Sequence, residues 1–364
     1  MARLLSLLVT TALLTASVAC SGRDSGDREG AAATAGTARP AAAVAFLQAY
    51  VRSDGRVSRP DQGDDTVSEG QAYGLLLAEV ADDDAAFGRI WWWTREHLQR
   101  ADGLLAYHAD MTGRVLDEQP ASDADLLIAW ALLRHAGPDA DSHHADGRRV
   151  AAAVLAHETA IGPTGDPVLT AGPWATARPV TLNPSYWSVD ALSGLAELTG
   201  DARWRRLAEG VVPLVERLTD AGRLLPPDWA ELAADGSLRP VPAPGGAAPR
   251  AQYGLDAQRL VVWLATSCDG RARRLAAGWW AQLRRDDRAG ALTLRLDGEV
   301  LDPRSNALPL VAAAAAAAAA GDPASRDRLL ARADEQQRRY PTYYGGAWAA
   351  LGRSILSGDA LRSC

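Results

Sequence analysis

The sequence contains no lysine, so its 38 cationic residues are all arginine. The 45 acidic residues outnumber them and give a formal net charge of −7. A nucleic-acid-binding domain usually carries a basic face, and this charge balance therefore disfavours nucleic acid as a partner. Hydrophobic residues make up 48% and charged residues 23% of the chain, which is the composition of a globular protein rather than a disordered one. The 364 residues suffice for one large domain.

Several motifs of common active sites are also missing. No G-x-G-x-x-G follows a strand-like stretch, and neither a P-loop nor a G-x-S-x-G occurs. Their absence disfavours dinucleotide sites, P-loop phosphate sites and the nucleophilic serine of α/β-hydrolases. His143 and His144 lie in a polar stretch without cysteine or acids at ligand spacing, so a zinc site is disfavoured as well. We expect no metal and no organic cofactor.

Cysteine is scarce, with only Cys20, Cys268 and Cys364. Residues 1–20 are typical of an export signal, because a short positive start precedes an uncharged run that is too short for a bilayer span of about 20 residues. Cys20 follows a small residue and resembles a lipoprotein processing site. Two alternatives stay open: lipidation of Cys20, or plain secretion or uncleaved anchoring. We expect an exported protein, either periplasmic or on the outer face of the membrane as a lipoprotein, and otherwise secreted. Cys268 and Cys364 either form a disulfide or stay unpaired.

The rest of the chain divides into a linker and one domain. Residues 21–40 are small and polar, which predicts a flexible linker. Residues 41–364 form the predicted domain, and apolar residues recur in it at helical spacing. Strand-like alternation is rare and is best at 291–296. Six helical hairpins can close into a toroid or stack as a solenoid, and the pattern leaves both open. The predicted helices are 41–53, 68–80, 84–100, 122–136, 146–158, 185–199, 202–219, 254–266, 270–286, 305–320, 323–338 and 344–357.

Two predicted helices begin with a serine that acids follow. The stretches SEGQ (68–71) and SDAD (122–125) both fit a capping box, in which the fourth residue reaches back to the first. Asp125 would close the second box as a shorter substitute for Glu. Glu69 and Asp123 are not needed for these boxes. Either acid can be explained by the general preference of carboxylates for helix N-termini, and either is also available for chemistry.

Two further stretches combine polar and aromatic residues. In NPSYW (183–187) a capping Asn and a Pro precede Tyr186 and Trp187. Asp256 and Arg259 are three residues apart and can share a helical face, where an ordinary salt bridge would also explain them. The chain has 12 Trp and 8 Tyr but only 2 Phe, and Trp and Tyr suit stacking on sugar rings. Acids at helix starts and these aromatics together indicate carbohydrate chemistry with paired carboxylates.

Five blocks carry a family resemblance. In chain order, SEGQAYGLLLA, ASDADLLIAWALL, LNPSYW, LPPDW and YGLDAQRL resemble conserved blocks of glycoside hydrolase family 8. The likeness is greatest to the periplasmic endoglucanases that accompany bacterial cellulose synthesis. It implies an all-α (α/α)6 barrel of about twelve helices, with a substrate groove across the N-terminal ends of the inner helices. It also implies endo-hydrolysis of β-1,4-glucan with inversion at the anomeric carbon.

The resemblance also assigns roles to residues. By the match, Glu69 is the general acid, Asp256 the general base that activates water, and Asp123 the residue that holds the sugar at the cleavage subsite. Tyr186 and Arg259 match residues that position the base, the water or the sugar. A helix N-terminus favours the charged form of Glu69, whereas a proton donor must stay neutral. A nearby carboxylate or burial would raise its pKa, so we predict that Asp123 lies close to Glu69.

The matching blocks and the neighbouring LLAYH segment (104–108) supply three more expected substrate contacts. These are Tyr73, Tyr107 and Trp187. Tyr107 stands where the family often has a Trp platform, and Leu255 stands before the base where many members have Tyr. Both differences could weaken a subsite or alter substrate preference.

Other functions remain as alternatives. Xylanase, chitosanase or mixed-linkage glucanase activity occurs in the same family, and Asp256 favours the group that contains cellulases and xylanases. A different class is a non-catalytic glycan-binding lipoprotein of a polysaccharide export complex, which would not need Glu69, Asp123 and Asp256 together. The expected partners are a cellulose-like β-1,4-glucan, a membrane through lipidated Cys20, and a cellulose synthase complex.

Overall fold

The computed structural model describes residues 41–358 apart from residue 247, together with residue 361, and leaves the side chains of residues 286 and 287 undescribed. Over these residues the chain forms twelve α-helices. They are α1 (41–50), α2 (Ser68–Val80), α3 (Asp84–Leu98), α4 (Ser122–Arg134), α5 (Ala140–His157), α6 (Val189–Thr199), α7 (Ala202–Leu218), α8 (Leu255–Thr266), α9 (Gly270–Leu283), α10 (Ala307–Ala319), α11 (Pro323–Arg339) and α12 (Tyr343–Leu356).

The even-numbered helices form a closed inner ring. Each contacts the next in the series α2, α4, α6, α8, α10 and α12, and α12 contacts α2 again. The odd-numbered helices pack outside, and α1 lies beside α12 with the rings of Tyr50 and Tyr343 6.1 Å apart. The architecture is therefore the predicted (α/α)6 barrel. Contacts between α12 and α2 close it into a toroid and exclude the solenoid.

Sequence periodicity explains which helices lie inside. All but one of the 13 residues of α4 are buried, and α10 is a run of alanines that is apolar on every side. A helix that is apolar all round must be buried, whereas a helix with one apolar stripe belongs at the surface. The outer helix α7 has such a stripe, with Trp204, Leu207, Val211 and Val215 buried at helical spacing.

The strands and long loops share one end of the barrel. All strands lie in connections that lead from an outer helix to the next inner helix, and all paired strands are antiparallel. Inner-to-outer connections are short, as at 81–83 and 200–201. The long connections therefore surround the ends where the inner helices begin. The strands are β1 (Thr66–Val67), β2 (His108–Ala109), β3 (Val115–Asp117), β4 (Thr159–Ile161), β5 (Pro167–Leu169), β6 (Val180–Leu182), β7 (Trp229–Leu232), β8 (Leu238–Val241), β9 (Thr293–Leu294) and β10 (Val300–Asp302).

Some predicted boundaries differ from the structure. Helix α5 begins at Ala140 instead of residue 146, because its first residues are polar and carry no apolar period. Helix α6 begins at Val189, since a separate 3-10 turn, Pro184–Tyr186, precedes it. The predicted strand at 291–296 is reduced to β9.

The predictions about export concern another part of the chain. The signal (1–20), the linker (21–40) and Cys20 lie outside the described residues. Cys268 is disulfide-bonded, and Cys364 also lies outside the described residues. Within the described residues, no helix combines the length and apolar character that a bilayer crossing requires.

Candidate active site

One buried arginine joins acids from three inner helices. Arg259 on α8 is only 2% exposed. Its Nη1 donates to Asp123 Oδ2 on α4 at 2.7 Å and to Glu69 Oε2 on α2 at 2.9 Å. Its Nη2 donates to Asp256 Oδ1 on its own helix at 2.9 Å. The salt bridge within α8 is thus part of a larger cluster, and Asp123 lies next to Glu69 as predicted.

The guanidinium is oriented by neutral groups as well. Nη1 of Arg259 donates to the hydroxyl of Tyr73 at 3.1 Å, and Nη2 donates to Ser185 Oγ at 2.8 Å. Ser185 in turn donates to Asn183 Oδ1 at 2.6 Å, and this amide oxygen also accepts the backbone N–H of Ser185. The predicted capping role of Asn183 is therefore present. The ring of Tyr186 lies over the guanidinium, 5.3 Å from its central carbon, within the range of a cation–π contact.

The three acids open onto a cavity of about 410 Å³ at the mouth of the barrel. Their exposure differs: the side chain of Asp256 is 32% exposed, that of Glu69 17% and that of Asp123 6%. Asp256 is thus the acid most accessible to water, and Asp123 lies deepest. The cavity is lined by Glu69, Tyr107, Asp117, Gln119, Pro120, Ala121, Asp123, Ala171, Trp174, Tyr186, Trp229, Asp256 and Arg259.

The carboxyl group of Glu69 has a raised pKa. Burial is the largest cause that raises its pKa, to about 7, and the negative charges of Asp123 and Asp256 raise it further, while Arg259 opposes them. Burial also raises the pKa of Asp123, against the same arginine. Desolvation and like charges are the usual means by which an enzyme keeps a carboxylic acid neutral near neutral pH. Below about pH 7 the carboxyl group of Glu69 is therefore protonated.

Asp228 is a site residue that sequence reasoning missed. Its Oδ1 accepts the backbone N–H groups of Gly254 at 2.9 Å and Ala257 at 2.8 Å, so it caps α8 from another segment. Burial and the charge of Asp256 raise its pKa to about 7. The only signal in the sequence was its place in the LPPDW block, because capping from a distant segment leaves no local pattern.

Two tryptophans of the cavity wall were missed for a similar reason. Trp174 is 42% exposed, and its ring lies 6.3 Å from that of Trp229. Trp229 in turn meets Tyr186 edge-on at 6.3 Å. Trp174 lies in a short 3-10 turn and Trp229 at the start of a short strand, so periodicity does not distinguish them from packing residues. The three rings form a wall with exposed aromatic faces of the kind that sugars stack on.

The structure brings most of the predicted residues to the cavity, with two exceptions. Tyr107 lines it, and burial raises the pKa of its hydroxyl to about 12. Tyr73 lies behind Arg259 and is 1% exposed, so its contact is with the arginine and not with substrate. Trp187 is 1% exposed and donates from Nε1 to the carbonyl of Leu169 at 3.1 Å. This corrects the expected substrate contact of Trp187, which packs in the core.

The predicted capping box at SDAD is wrong. Ser122 is the first residue of α4, and its hydroxyl donates to the carbonyl of Thr170 on another segment. Asp125 accepts the backbone N–H of Leu105 at 2.9 Å. Both side chains therefore make tertiary contacts, because the start of α4 is buried and polar groups of neighbouring loops need partners there.

The predicted box at SEGQ is wrong as well. Helix α2 begins at Ser68, whose backbone N–H donates to the carbonyl of Tyr107 at 2.9 Å. Gln71 Oε1 accepts the N–H of Val57 at 2.6 Å, and its Nε2 donates to Thr94 Oγ1 at 2.7 Å. Gln71 thus joins α2 to α3 and to the turn after α1.

A second cavity of similar size differs in its chemistry. It has a volume of about 440 Å³ and lies between α7 and the β4–β5 hairpin. Its lining is mostly apolar and includes the acids Asp166 and Glu209 and the cations Arg206 and Arg217. Among the described residues, no buried arginine joins these two acids in the way that Arg259 joins the three acids of the first cavity. No group of three or more His, Cys, Asp or Glu side chains among the described residues is placed to hold a metal ion.

Comparisons with known proteins find related endoglucanases. A probable endoglucanase of Novacetimonas hansenii is 34% identical over 239 residues, which cover 60% of this chain and 64% of the relative. An endoglucanase of Cellulomonas uda is 32% identical over 196 residues, which cover 52% of this chain and 55% of the relative. The chain thus matches less than two thirds of the length of these curated relatives.

Solved structures match over most of the chain. The endo-β-1,4-glucanase of Acetobacter xylinum superimposes with a TM-score of 0.71 at 27% identity, over 89% of this chain and 98% of that one. A β-1,3-1,4-glucanase of Paenibacillus has a TM-score of 0.77 at 18% identity, over 90% and 92%, and shares the fold. The family model for glycosyl hydrolases family 8 matches residues 31–348. The chain therefore belongs to glycosyl hydrolase family 8.

Proposed function

We propose that the protein is an inverting endo-β-1,4-glucanase that hydrolyses a cellulose-like glucan. The observation that carries this proposal is the meeting of Glu69, Asp123 and Asp256 on Arg259 at the mouth of the barrel. The acids differ in burial, and a glycosidase needs such a difference because one carboxyl must be neutral and another charged at the same pH. The family and the endoglucanase relatives support the same conclusion.

In the proposed reaction Glu69 is the general acid. Its raised pKa of about 7 keeps a proton available for the glycosidic oxygen, and protonation of that oxygen lets the leaving sugar depart without a negative charge. Arg259 binds Glu69 through a single N–H group and so fixes the direction of the carboxyl. After transfer of the proton, the same arginine stabilises the new carboxylate.

Asp256 is the proposed general base. It is the most exposed of the three acids, so a water molecule can reach it and lose a proton as it attacks the anomeric carbon. Inverting enzymes separate acid and base by roughly 6.5–9.5 Å to admit this water. Glu69 and Asp256 accept hydrogen bonds from different nitrogens of Arg259. The path from one carboxyl to the other therefore consists of two hydrogen bonds and the guanidinium group between them, and its length is consistent with such a separation.

Asp123 and the aromatic residues bind the sugar in this proposal. Asp123 accepts from Arg259 through Oδ2 and from the backbone of Ala124 through Oδ1, and these bonds hold it at the cavity floor, where it can accept hydrogen bonds from sugar hydroxyls. Trp174 and Trp229 offer stacking faces along the cavity wall. Stacking on successive sugars favours binding within a chain, which suits endo cleavage.

Reducing-sugar release from carboxymethylcellulose, xylan and chitosan tests the proposal. We expect release from carboxymethylcellulose with a rapid fall in viscosity, and loss of both in Glu69→Gln. Proton NMR of the first product should detect the α-anomer. Preferential release from xylan or chitosan would replace the glucanase by that activity, and binding without release from any substrate would favour a glycan-binding module.

We also propose that the protein is exported and acts in cellulose or exopolysaccharide metabolism, as a lipoprotein or in secreted form. The support is the signal-like sequence of residues 1–20 and Cys20, together with the family likeness. Radiolabelled palmitate should enter the wild-type protein and not Cys20→Ser. Equal labelling of both would contradict lipidation at Cys20. Co-purification with a cellulose synthase complex would test the proposed partner, and its absence from that complex under cellulose-producing conditions would count against it.

A further inference from the structure

Two acidic side chains meet inside the barrel beside the site, and neither has a role in the reaction above. Asp125 lies in the first turn of α4, shortly after Asp123, and Glu158 directly follows α5. Both residues are fully buried. A side-chain hydrogen bond with Asp125 is among the causes that raise the pKa of Glu158, so the two carboxyl groups lie within hydrogen-bonding reach of each other. A contact between two buried acids is unusual, because buried acids are normally paired with a cation.

The surroundings supply few hydrogen-bond donors to these two carboxyls. The backbone N–H of Leu105 donates to Asp125 Oδ1 at 2.9 Å. Among the described residues, no N–H or O–H group donates to Asp125 Oδ2 or to either carboxyl oxygen of Glu158. A carboxylate accepts hydrogen bonds and cannot donate them. The contact between the two side chains therefore requires a proton on one of them.

The charges around the two acids favour the same state. Asp123 on α4 and Asp102 in the turn after α3 add negative charge, while Arg100 is the cation that acts on Asp125. Burial is the largest cause and raises the pKa of both Asp125 and Glu158 well above the ordinary carboxyl range. Two charged carboxylates within hydrogen-bonding reach of each other would repel strongly in a medium of low dielectric constant.

The contact joins segments that shape the cavity. Asp125 holds the backbone of Leu105, in the turn that leads to the cavity wall. The carbonyl of Glu158 accepts from the N–H and the hydroxyl of Thr170, at 2.8 and 2.9 Å. The carbonyl of Thr170 accepts from the hydroxyl of Ser122, the residue before Asp123. The start of α4 is thus connected to the ends of α3 and α5.

We propose that Asp125 and Glu158 share one proton and that this proton-sharing pair braces the start of α4. The brace keeps Asp123 against Arg259, so both acids are positioning residues. The positioning role rests on the proposed function of Asp123, whereas the shared proton does not. Loss of the proton leaves two carboxylates in contact, and their repulsion separates α4 from the end of α5.

The proposal makes stability depend on pH with a definite sign. The folded pair keeps a proton that the unfolded chain releases above the ordinary carboxyl pKa. The folded state therefore binds more protons, and stability is lost as pH rises from that value through the raised pKa of the pair. One proton corresponds to about a tenfold change in the unfolding constant for each pH unit.

Chemical unfolding of the wild type and Glu158→Gln, measured between about pH 5 and pH 8, tests the shared proton. The amide of Gln donates to Asp125 without needing a proton. We expect the logarithm of the unfolding constant to rise with pH in the wild type. In the variant the slope of this rise should be smaller by about one logarithmic unit for each pH unit. Parallel curves for the two proteins would overturn the proposal.

Asp146→Asn is the matched control for this measurement. Asp146 is also buried, but it accepts from Trp91 Nε1 and from Arg149, both at 2.9 Å. Its stability should fall at every pH without the change of slope expected for Glu158→Gln. If Asp146→Asn showed the same change in the pH slope of the unfolding constant, replacement of any buried acid would explain it. That result would contradict a special role of Asp125 and Glu158.

Activity on carboxymethylcellulose tests the brace. Glu158→Gln should keep kcat/KM within about threefold of wild type near pH 6, because the hydrogen bond is retained. Glu158→Leu should lower kcat by about tenfold or more, even where circular dichroism shows it folded. Equal activity of a folded Glu158→Leu variant and wild type would overturn the brace. If the wild type itself is inactive, the glucanase proposal fails, while the unfolding slopes still decide the shared proton.

Discussion

Four outer helices and three inner helices of the barrel begin in different ways. Four outer helices, α3, α7, α9 and α11, start at an Asp whose side chain accepts a backbone N–H of the first turn; these residues are Asp83, Asp201, Asp269 and Asp322. Within the described chain, the inner helices α2, α4 and α8 start without a side-chain cap. Each of them carries an acid at its second residue.

The difference lies in what surrounds each helix start. Each of these four outer helices follows a short turn, where its own Asp is the nearest acceptor for the free N–H groups. Each of the three inner helices follows a long connection that supplies acceptors from elsewhere, as Tyr107 does for Ser68 and Asp228 does for Ala257. The acids Glu69 and Asp256 are then free to point into the cavity.

The largest effect should follow removal of the proton donor from its inner helix. We expect Glu69→Gln to lower kcat/KM by about a thousandfold, because an amide cannot give its proton to the glycosidic oxygen. Stability should not fall, since a buried carboxyl is replaced by a neutral group of the same shape. Hydrolysis of carboxymethylcellulose and thermal unfolding measure the two quantities. A loss of less than tenfold would assign the acid to another residue.

Removal of the shared cation should rank second. Arg259→Met leaves three carboxylates without their common donor, so we expect a loss of about a hundredfold in kcat/KM and of about 3 kcal/mol in the free energy of unfolding. Arg134→Met is the control. Arg134 lies at the other end of α4, where it pairs with Glu79 of α2, and the kcat/KM of this variant should be unchanged. Comparable activity losses in both variants would show that any unpaired buried acid lowers activity, and would contradict a specific role of Arg259.

Asp123→Asn should have a smaller effect and a distinctive pH dependence. The charge of Asp123 raises the pKa of Glu69, so its removal lowers that pKa and Glu69 loses its proton at lower pH. The basic limb of kcat/KM should move to lower pH, and kcat should fall by about tenfold. A pH profile with an unmoved basic limb would contradict the electrostatic role of Asp123.

The smallest effect should come from an outer helix. Asp201 caps α7 through the N–H of Arg203 at 2.9 Å, and Asp201→Ala should cost about 1 kcal/mol of stability. We expect kcat/KM to remain at the wild-type value, because α7 lies outside the ring. Urea unfolding and the hydrolysis assay measure both. Reduced activity in a fully folded Asp201→Ala protein would remove the distinction between the two kinds of helix start.

The helices were predictable from sequence because apolar spacing records which face each helix buries. Ring closure was not, since it depends on contacts between α12 and α2 that no local pattern encodes. The capping boxes failed because Ser122 and Gln71 fit a local template but bond distant segments. Glu158 was missed because its partner lies on another helix, and an acid at a helix end resembles a solvated one.

The family likeness predicts roles for three acids, and the structure shows how their surroundings differ. Glu69, Asp123 and Asp256 occupy equivalent positions in three helices, so spacing assigns them equal chemistry. Burial and the sharing of Arg259 separate them. Such differences arise from the distances between helices that are far apart in the chain.

The pH dependence of kcat/KM tests the central claim, that the environment of Glu69 keeps it protonated to near neutrality. The pKa of Glu69, raised to about 7 by burial and by neighbouring carboxylates, should appear as the basic limb of the wild-type profile on carboxymethylcellulose. Activity should hold below that pH and fall above it. A basic limb in the ordinary carboxyl range, between about pH 4 and pH 5, would contradict the account.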